Sequence, residues 1–214
     1  MLSSKKLIFI FVPAILVAGL ALFVRIIQYQ PLYSKDEEQT TDTPKEFTIP
    51  FLPQDPILGN KKSALTIVAF EDFACPACKQ QETILANLQK EYPEKFKIVW
   101  KGLPVTEFPH PSETAHLYGY CAQQQKKFEE FKAYAFNNET NLSASTLDII
   151  AGEINLDLDE LKTCLENGDP KAYIEGTKSI ALMLNIQAVP TFFIDNKQIK
   201  TPATEQDWKI VLGL

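Results

Sequence analysis

Leu65-Thr66-Ile67-Val68-Ala69-Phe70-Glu71-Asp72-Phe73-Ala74-Cys75-Pro76-Ala77-Cys78 is the stretch on which the fold turns. Leu65 to Phe70 is a continuous β-prone run, the pattern of a strand buried on both faces. From Pro76 to Tyr92 the apolar residues Ile84, Leu85 and Leu88 recur at helical spacing, and Pro93 stops the helix. Phe96-Lys97-Ile98-Val99-Trp100 reads as a second strand. Strand, helix, strand in that order predicts a βαβ unit with parallel strands. The two cysteines therefore fall where a strand ends and a helix begins. The first helical turn leaves backbone N–H groups unpaired, and the helix dipole adds partial positive charge there. A sulfur at that point is favoured as thiolate, with its pKa lowered from about 8.5 towards roughly 3.5–7.5. Pro76 suits the first helical position because its missing N–H would have had no partner. Cys78 lies one turn deeper on the same face. Cys75 is then the exposed nucleophile, and Cys78 the thiol that resolves a mixed disulfide.

Working outward, Ser112 to about Asn138 is helical, in one piece or two, followed by helices at Thr146–Ile154, Asp159–Glu166 and Pro170–Leu184. Ser145 and Asp169 are the expected caps of the first and last of these three. Thr191-Phe192-Phe193-Ile194 is a strand, Asp195-Asn196-Lys197 a turn, Gln198-Ile199-Lys200 a short return strand, and Ala203–Leu212 a closing helix. An α/β sheet interrupted by a helical insertion at about 105–185 is the expected architecture. Phe128, Phe131, Tyr134 and Phe136 read as insertion core rather than as a peptide groove, and Trp100 and Trp208 as core.

Upstream, Leu7 to Val24 carries no charge and ends at Arg25. That length is at the lower end of the roughly 17–25 residues a spanning helix needs. Lys5 and Lys6 precede it, and Asp36, Glu37 and Glu38 follow, an asymmetry that places the N-terminus in the cytoplasm and the rest outside. The expectation is a cytoplasmic N-terminus at 1–6, an uncleaved transmembrane signal-anchor at 7–28, a linker at 29–55 and a folded domain at 56–214. The alternative of a cleaved signal peptide has only Gly19-Leu20-Ala21 as a poor processing site. The chain carries 21 Lys and Arg against 27 Asp and Glu, net −6, and every acid lies after residue 35. A body of that sign repels phosphate backbones, which argues against nucleic-acid binding.

Zinc binding and an inert bridge are the other readings of Cys75–Cys78. A structural zinc site takes four ligands, usually two close pairs. Cys121 and Cys164 stand far apart, and neither His110 nor His116 is paired with a cysteine knuckle, so no metal site is expected. His110 in a loop and His116 on a helix read as structural.

The segment Ile67 to Cys78 resembles the active site of DsbA-like thiol–disulfide oxidoreductases of the thioredoxin fold. The resemblance continues at Leu58-Gly59-Asn60, at His110-Pro111, and at Val189-Pro190-Thr191-Phe192-Phe193-Ile194, and it covers about residues 56–214. It implies a thioredoxin-like fold with a helical insertion, and a cis Pro190 whose loop packs against the Cys75-Pro76-Ala77-Cys78 motif. It implies that the Val189 backbone pairs with an extended client peptide, and that no cofactor is needed for exchange. The implied partners are reduced clients with cysteine pairs and an integral membrane thiol oxidase that restores the disulfide. It also implies a structural disulfide between Cys121 and Cys164, two separate buried thiols being the alternative. Two departures stand out. Relatives often carry a buried acid six residues before the first cysteine, where this chain has Ala69. Glu71 and Asp72 are nearer and stand as substitutes or as surface and cap carboxylates. Strongly oxidising relatives place His where this chain has Ala77, which implies a milder oxidant. A reductase or isomerase, and a client-binding module with an idle motif, remain the alternative functions.

Overall fold

The computed structural model describes residues 16–25 and 47–214. Residues 16–25 are helical (α1). Most of the span expected to cross the membrane, 7–28, and the linker up to residue 46 lie outside the described residues. Among the described residues no helix is long and apolar enough to cross a membrane.

The compact unit Phe47–Leu214 is built on a five-stranded mixed sheet. Its strands are β1 (Ile57–Gly59), β2 (Leu65–Glu71), β3 (Phe96–Gly102), β4 (Thr191–Ile194) and β5 (Lys197–Ile199), in the order β1-β3-β2-β4-β5. β2 and β3 pair in parallel, with Ile67 opposite Ile98 and Ala69 opposite Trp100, while the other pairings are antiparallel. Helix α2 (Pro76–Glu91) makes the crossover between β2 and β3. Five helices stand between β3 and β4: α3 (Glu113–Gln124), α4 (Phe128–Asn137), α5 (Ala144–Glu153), α6 (Leu158–Glu166) and α7 (Asp169–Met183). Helix α8 (Glu205–Leu212) closes the chain.

The period-2 geometry of β2 explains its unbroken apolar run. Ile67 and Ala69 face a core shared with Leu85 and Leu88 of α2, Trp208 of α8 and Phe131 of α4. Val68 and Phe70 face a second core with Val99, Phe193 and Ile180 of α7. α8 is further tied to α2 by Trp208 Nε1, which donates to Gln81 Oε1 at 2.7 Å, while Gln81 Nε2 donates to the Pro202 carbonyl at 2.9 Å. Phe128, Phe131 and Phe136 are buried in the insertion, whereas Tyr134 is exposed.

Several boundaries differ from expectation for identifiable reasons. β1 has three residues, too few to show alternation, and is specified by its antiparallel pairing with β3. The compact unit begins at Phe47, ahead of 56, because Ile49 is buried and Asp55 forms a buried ion pair with Lys101 of β3 at 2.5 Å. Tyr173 of α7 donates to the other Asp55 oxygen at 2.7 Å, and Lys101 Nζ also donates to the Pro50 carbonyl. Ser143, not Ser145, caps α5, because its extended backbone lets Oγ accept from the Thr146 N–H. At α7 the cap position is Gly168, and Asp169 is the first helical residue.

Candidate active site

Cys75 is the N-cap of α2, with extended backbone angles and its Sγ accepting from the Cys78 N–H at 3.4 Å. The two sulfurs are free thiols, Cys75 half-buried and Cys78 fully buried. The Cys78 thiol's hydrogen bond, followed by the N–H groups of Cys78 and Ala77, lowers the Cys75 pKa to about 6, against the opposing pull of burial and the Asp72 charge. Ala77 thus contributes through its backbone. Burial first, then the hydrogen bond to Cys75 and the charge of Glu71, drive Cys78 the other way, well above the ordinary thiol range. One turn of helix therefore separates a sulfur that ionises near neutrality from one that holds its proton. That division suits an attacking and a resolving thiol.

Val189 and Pro190 lie opposite. The Val189–Pro190 peptide is cis, and the Val189 carbonyl accepts from Cys75 Sγ at 3.7 Å. Pro76 occupies the first helical position. Cys121 of α3 and Cys164 of α6 are joined by a disulfide, which ties two helices of the insertion together.

Glu71 and Asp72 are not surface carboxylates: they are 1% and 0% exposed. The strand sends them to opposite faces, but both faces are covered where β2 ends. Asp72 Oδ2 accepts from the Val105 and Thr106 N–H groups and from Ser112 Oγ, each at 2.9 Å. Its Oδ1 accepts from the Ala74 N–H and meets His116 Nε2 at 3.2 Å. Burial opposes ionisation, but the His116 contact and these N–H groups outweigh it and hold Asp72 below the usual carboxylate range. Asp72 is thus a fixed anion that joins the Cys75 loop to the segment leading into α3. His116 has this partner after all, and Gly102 makes room for it, since a Cβ there would stand 2.4 Å from Nδ1.

Glu71 differs. Trp100 Nε1 donates to its Oε2 at 2.8 Å and Lys132 Nζ stands 3.7 Å from the same oxygen, while Oε1 has no partner. Burial raises its pKa to about 7 despite Lys132. Glu71 is thus the acid near Cys78 that can exchange a proton close to neutral pH. Lys132 and Trp100 were not foreseen in this role, since 61 residues of sequence separate Lys132 from Glu71 and nothing local marks the pairing. Among the described residues no cluster of His, Cys, Asp and Glu is arranged to hold a metal ion.

The comparisons with known proteins agree with this geometry. A family model described as Thioredoxin matches residues 52–213. Disulfide bond formation protein D of Bacillus subtilis is 23% identical over 169 residues, covering 75% of this chain and 76% of that protein. Na(+)/H(+) antiporter NhaA 3 of Salinispora tropica is 26% identical over 149 residues, 70% of this chain but 23% of the antiporter. The chain thus spans about a quarter of the length of the antiporters it matches. Among solved structures, the thiol-disulfide exchange protein alpha-DsbA2 from Wolbachia pipientis superposes with a TM-score of 0.67 at 17% identity, covering 75% of this chain and 87% of that one.

Proposed function

The chain belongs to the thioredoxin family, and from that premise we propose that it is a DsbA-like thiol–disulfide oxidoreductase that introduces disulfides into client proteins. The observation that carries the reading is the pairing of an ionisable, half-exposed Cys75 with a buried, protonated Cys78 at one helix start. A client thiolate attacks Cys75 Sγ of the oxidised pair. The Cys75–Cys78 bond breaks, and Cys78 leaves and takes up a proton. The client's second thiolate then attacks the client sulfur of the mixed disulfide, expels Cys75 as thiolate, and leaves with a new disulfide. The low Cys75 pKa makes it a good leaving group and favours the dithiol, which makes the enzyme an oxidant. The Val189 carbonyl beside Cys75 is suited to hold an extended client segment in strand-like register.

The setting belongs to the same proposal: anchorage by residues 7–28, a catalytic unit outside the cytoplasm, and re-oxidation by an integral membrane thiol oxidase. The acidic chain, net −6, speaks against nucleic-acid partners. Cys78→Ala tests the reading. It should accumulate mixed disulfides with clients through Cys75, and adding Cys75→Ser should abolish them. A binding module with an idle motif would trap nothing. Equilibration with glutathione tests direction. A potential above roughly −200 mV supports oxidation, whereas one near −270 mV supports a reductase.

A further inference from the structure

We propose that Thr201, held in place by Gln81, is a positioning residue that fixes the Val189–Pro190 edge for backbone pairing with a client, and so favours extended polypeptide dithiols over small thiols. The proposal deepens the reading above and rests on it. The sheet itself does not hold that edge. β4 starts at Thr191, and its pairing with β2 ends there, opposite Phe70. On its other side β4 pairs with β5 as far as Phe192, opposite Ile199. Continuing that register sets Pro190 opposite Thr201, but Pro190 has no N–H to donate, so a full ladder step cannot form. The Thr201 hydroxyl makes the cross-strand contact instead: its Oγ1 donates to the Pro190 carbonyl at 3.3 Å. Within the loop, Thr191 Oγ1 donates to the Ala188 carbonyl at 2.7 Å.

Thr201 is in turn tied to the helix that carries the thiols. Pro202 follows it, and the Pro202 carbonyl accepts from Gln81 Nε2 at 2.9 Å, while Gln81 Oε1 accepts from Trp208 Nε1 at 2.7 Å. Gln81 lies one turn beyond Cys78 on the same buried face of α2, and Trp208 is buried as well. With its oxygen and an N–H both engaged, the Gln81 amide has one orientation. The contacts close a ring. It runs from the thiols along α2 to Gln81, across to Pro202 and Thr201, on to Pro190, and back through the Val189 carbonyl, 3.7 Å from Cys75 Sγ. A client that pairs with Val189 must bring its sulfur in line with Cys75 at the same time. A loop clamped at Pro190 offers both together, whereas a loose one has to be ordered as the client binds, which weakens binding. A small thiol has no backbone to pair and gains nothing from the clamp.

The experiment is single-turnover reduction of the oxidised full chain, in which the Cys75–Cys78 disulfide takes two electrons from a dithiol that becomes a disulfide. One reductant is an unstructured peptide with two cysteines, and the other is dithiothreitol. Thr201→Val keeps the shape of the side chain and removes the donor. The ratio of peptide to dithiothreitol efficiency should fall about threefold to tenfold, the worth of one hydrogen bond, through a higher half-saturating peptide concentration rather than a lower limiting rate. Thr201→Ser returns the hydroxyl and should bring the ratio back to within about twofold of the parent. Gln81→Met, which frees Pro202, should lower the ratio in the same direction. A parent-like ratio in Thr201→Val overturns the proposal, as does a Thr201→Ser ratio as low as that of Thr201→Val, a fall that sits in the limiting rate, or a parent-like ratio in a folded Gln81→Met. Should Gln81→Met not fold, the two Thr201 variants decide. A parent chain that the peptide fails to reduce, with no mixed disulfide trapped on Cys75 in Cys78→Ala, would instead defeat the catalytic reading itself.

Discussion

Cys75 sets the chemistry at the scale of a residue. Its alkylation rate should follow thiolate content, half-maximal near pH 6 and about tenfold below plateau at pH 5, measured with iodoacetamide on the dithiol form. Glu71 carries a different signature. Its folded pKa, about 7, lies above the unfolded value of 4.5, so the folded state binds the extra proton. Stability is therefore contributed below 4.5 and lost as pH rises through 7. Urea unfolding at pH 5 and pH 8 should show this slope in the parent, and Glu71→Gln should flatten it. Asp72 has the opposite sign, since its depressed pKa contributes stability above 3.8 that is lost as pH falls further. Asp72→Asn leaves buried donors poorly matched and should cost about 3 kcal/mol. The exposed and buried thiols were legible from the motif alone. The roles of the two acids were not, because alternation along a strand says which face a residue takes but not what covers that face. The unbroken apolar run before them did hint that both faces were closed.

At the scale of elements, the Cys121–Cys164 bridge joins α3 to α6 across 43 residues of chain. Replacing both cysteines with Ser should lower stability by up to about 4 kcal/mol, read by denaturant unfolding, while Cys75 alkylation stays as it was. Removing the α5 cap with Ser143→Ala should cost about 1 kcal/mol. The βαβ unit, the closing helix and a helical insertion could be read from the sequence, since each is long enough to show itself, but the sequence leaves the break between α3 and α4 open. β1 could not, as a three-residue edge strand owes its conformation to β3. The caps of α5 and α7 each fell within two residues of expectation, because several Ser and Asp residues compete near those starts and only backbone geometry selects among them.

For the whole molecule, the segment leading into the domain belongs to it. Ile49 fills the second core, and Asp55 neutralises the buried Lys101. A chain starting at Phe47 should therefore keep the thermal stability of the catalytic unit, whereas one starting at Ile57 should lose about 3–5 kcal/mol or fail to fold, because it leaves Lys101 charged and unpaired. Proline spacing alone reads residues 47–55 as an extended approach, since their anchoring contacts are all long-range. The bridge between α3 and α6 has a further consequence for the life of the protein. Each newly made copy arrives with two thiols in its insertion, and closing them into the bridge takes one two-electron oxidising equivalent. Copies made where thiol oxidants are scarce would then lack the cross-link between α3 and α6 while keeping the Cys75 thiol that the bridge does not touch.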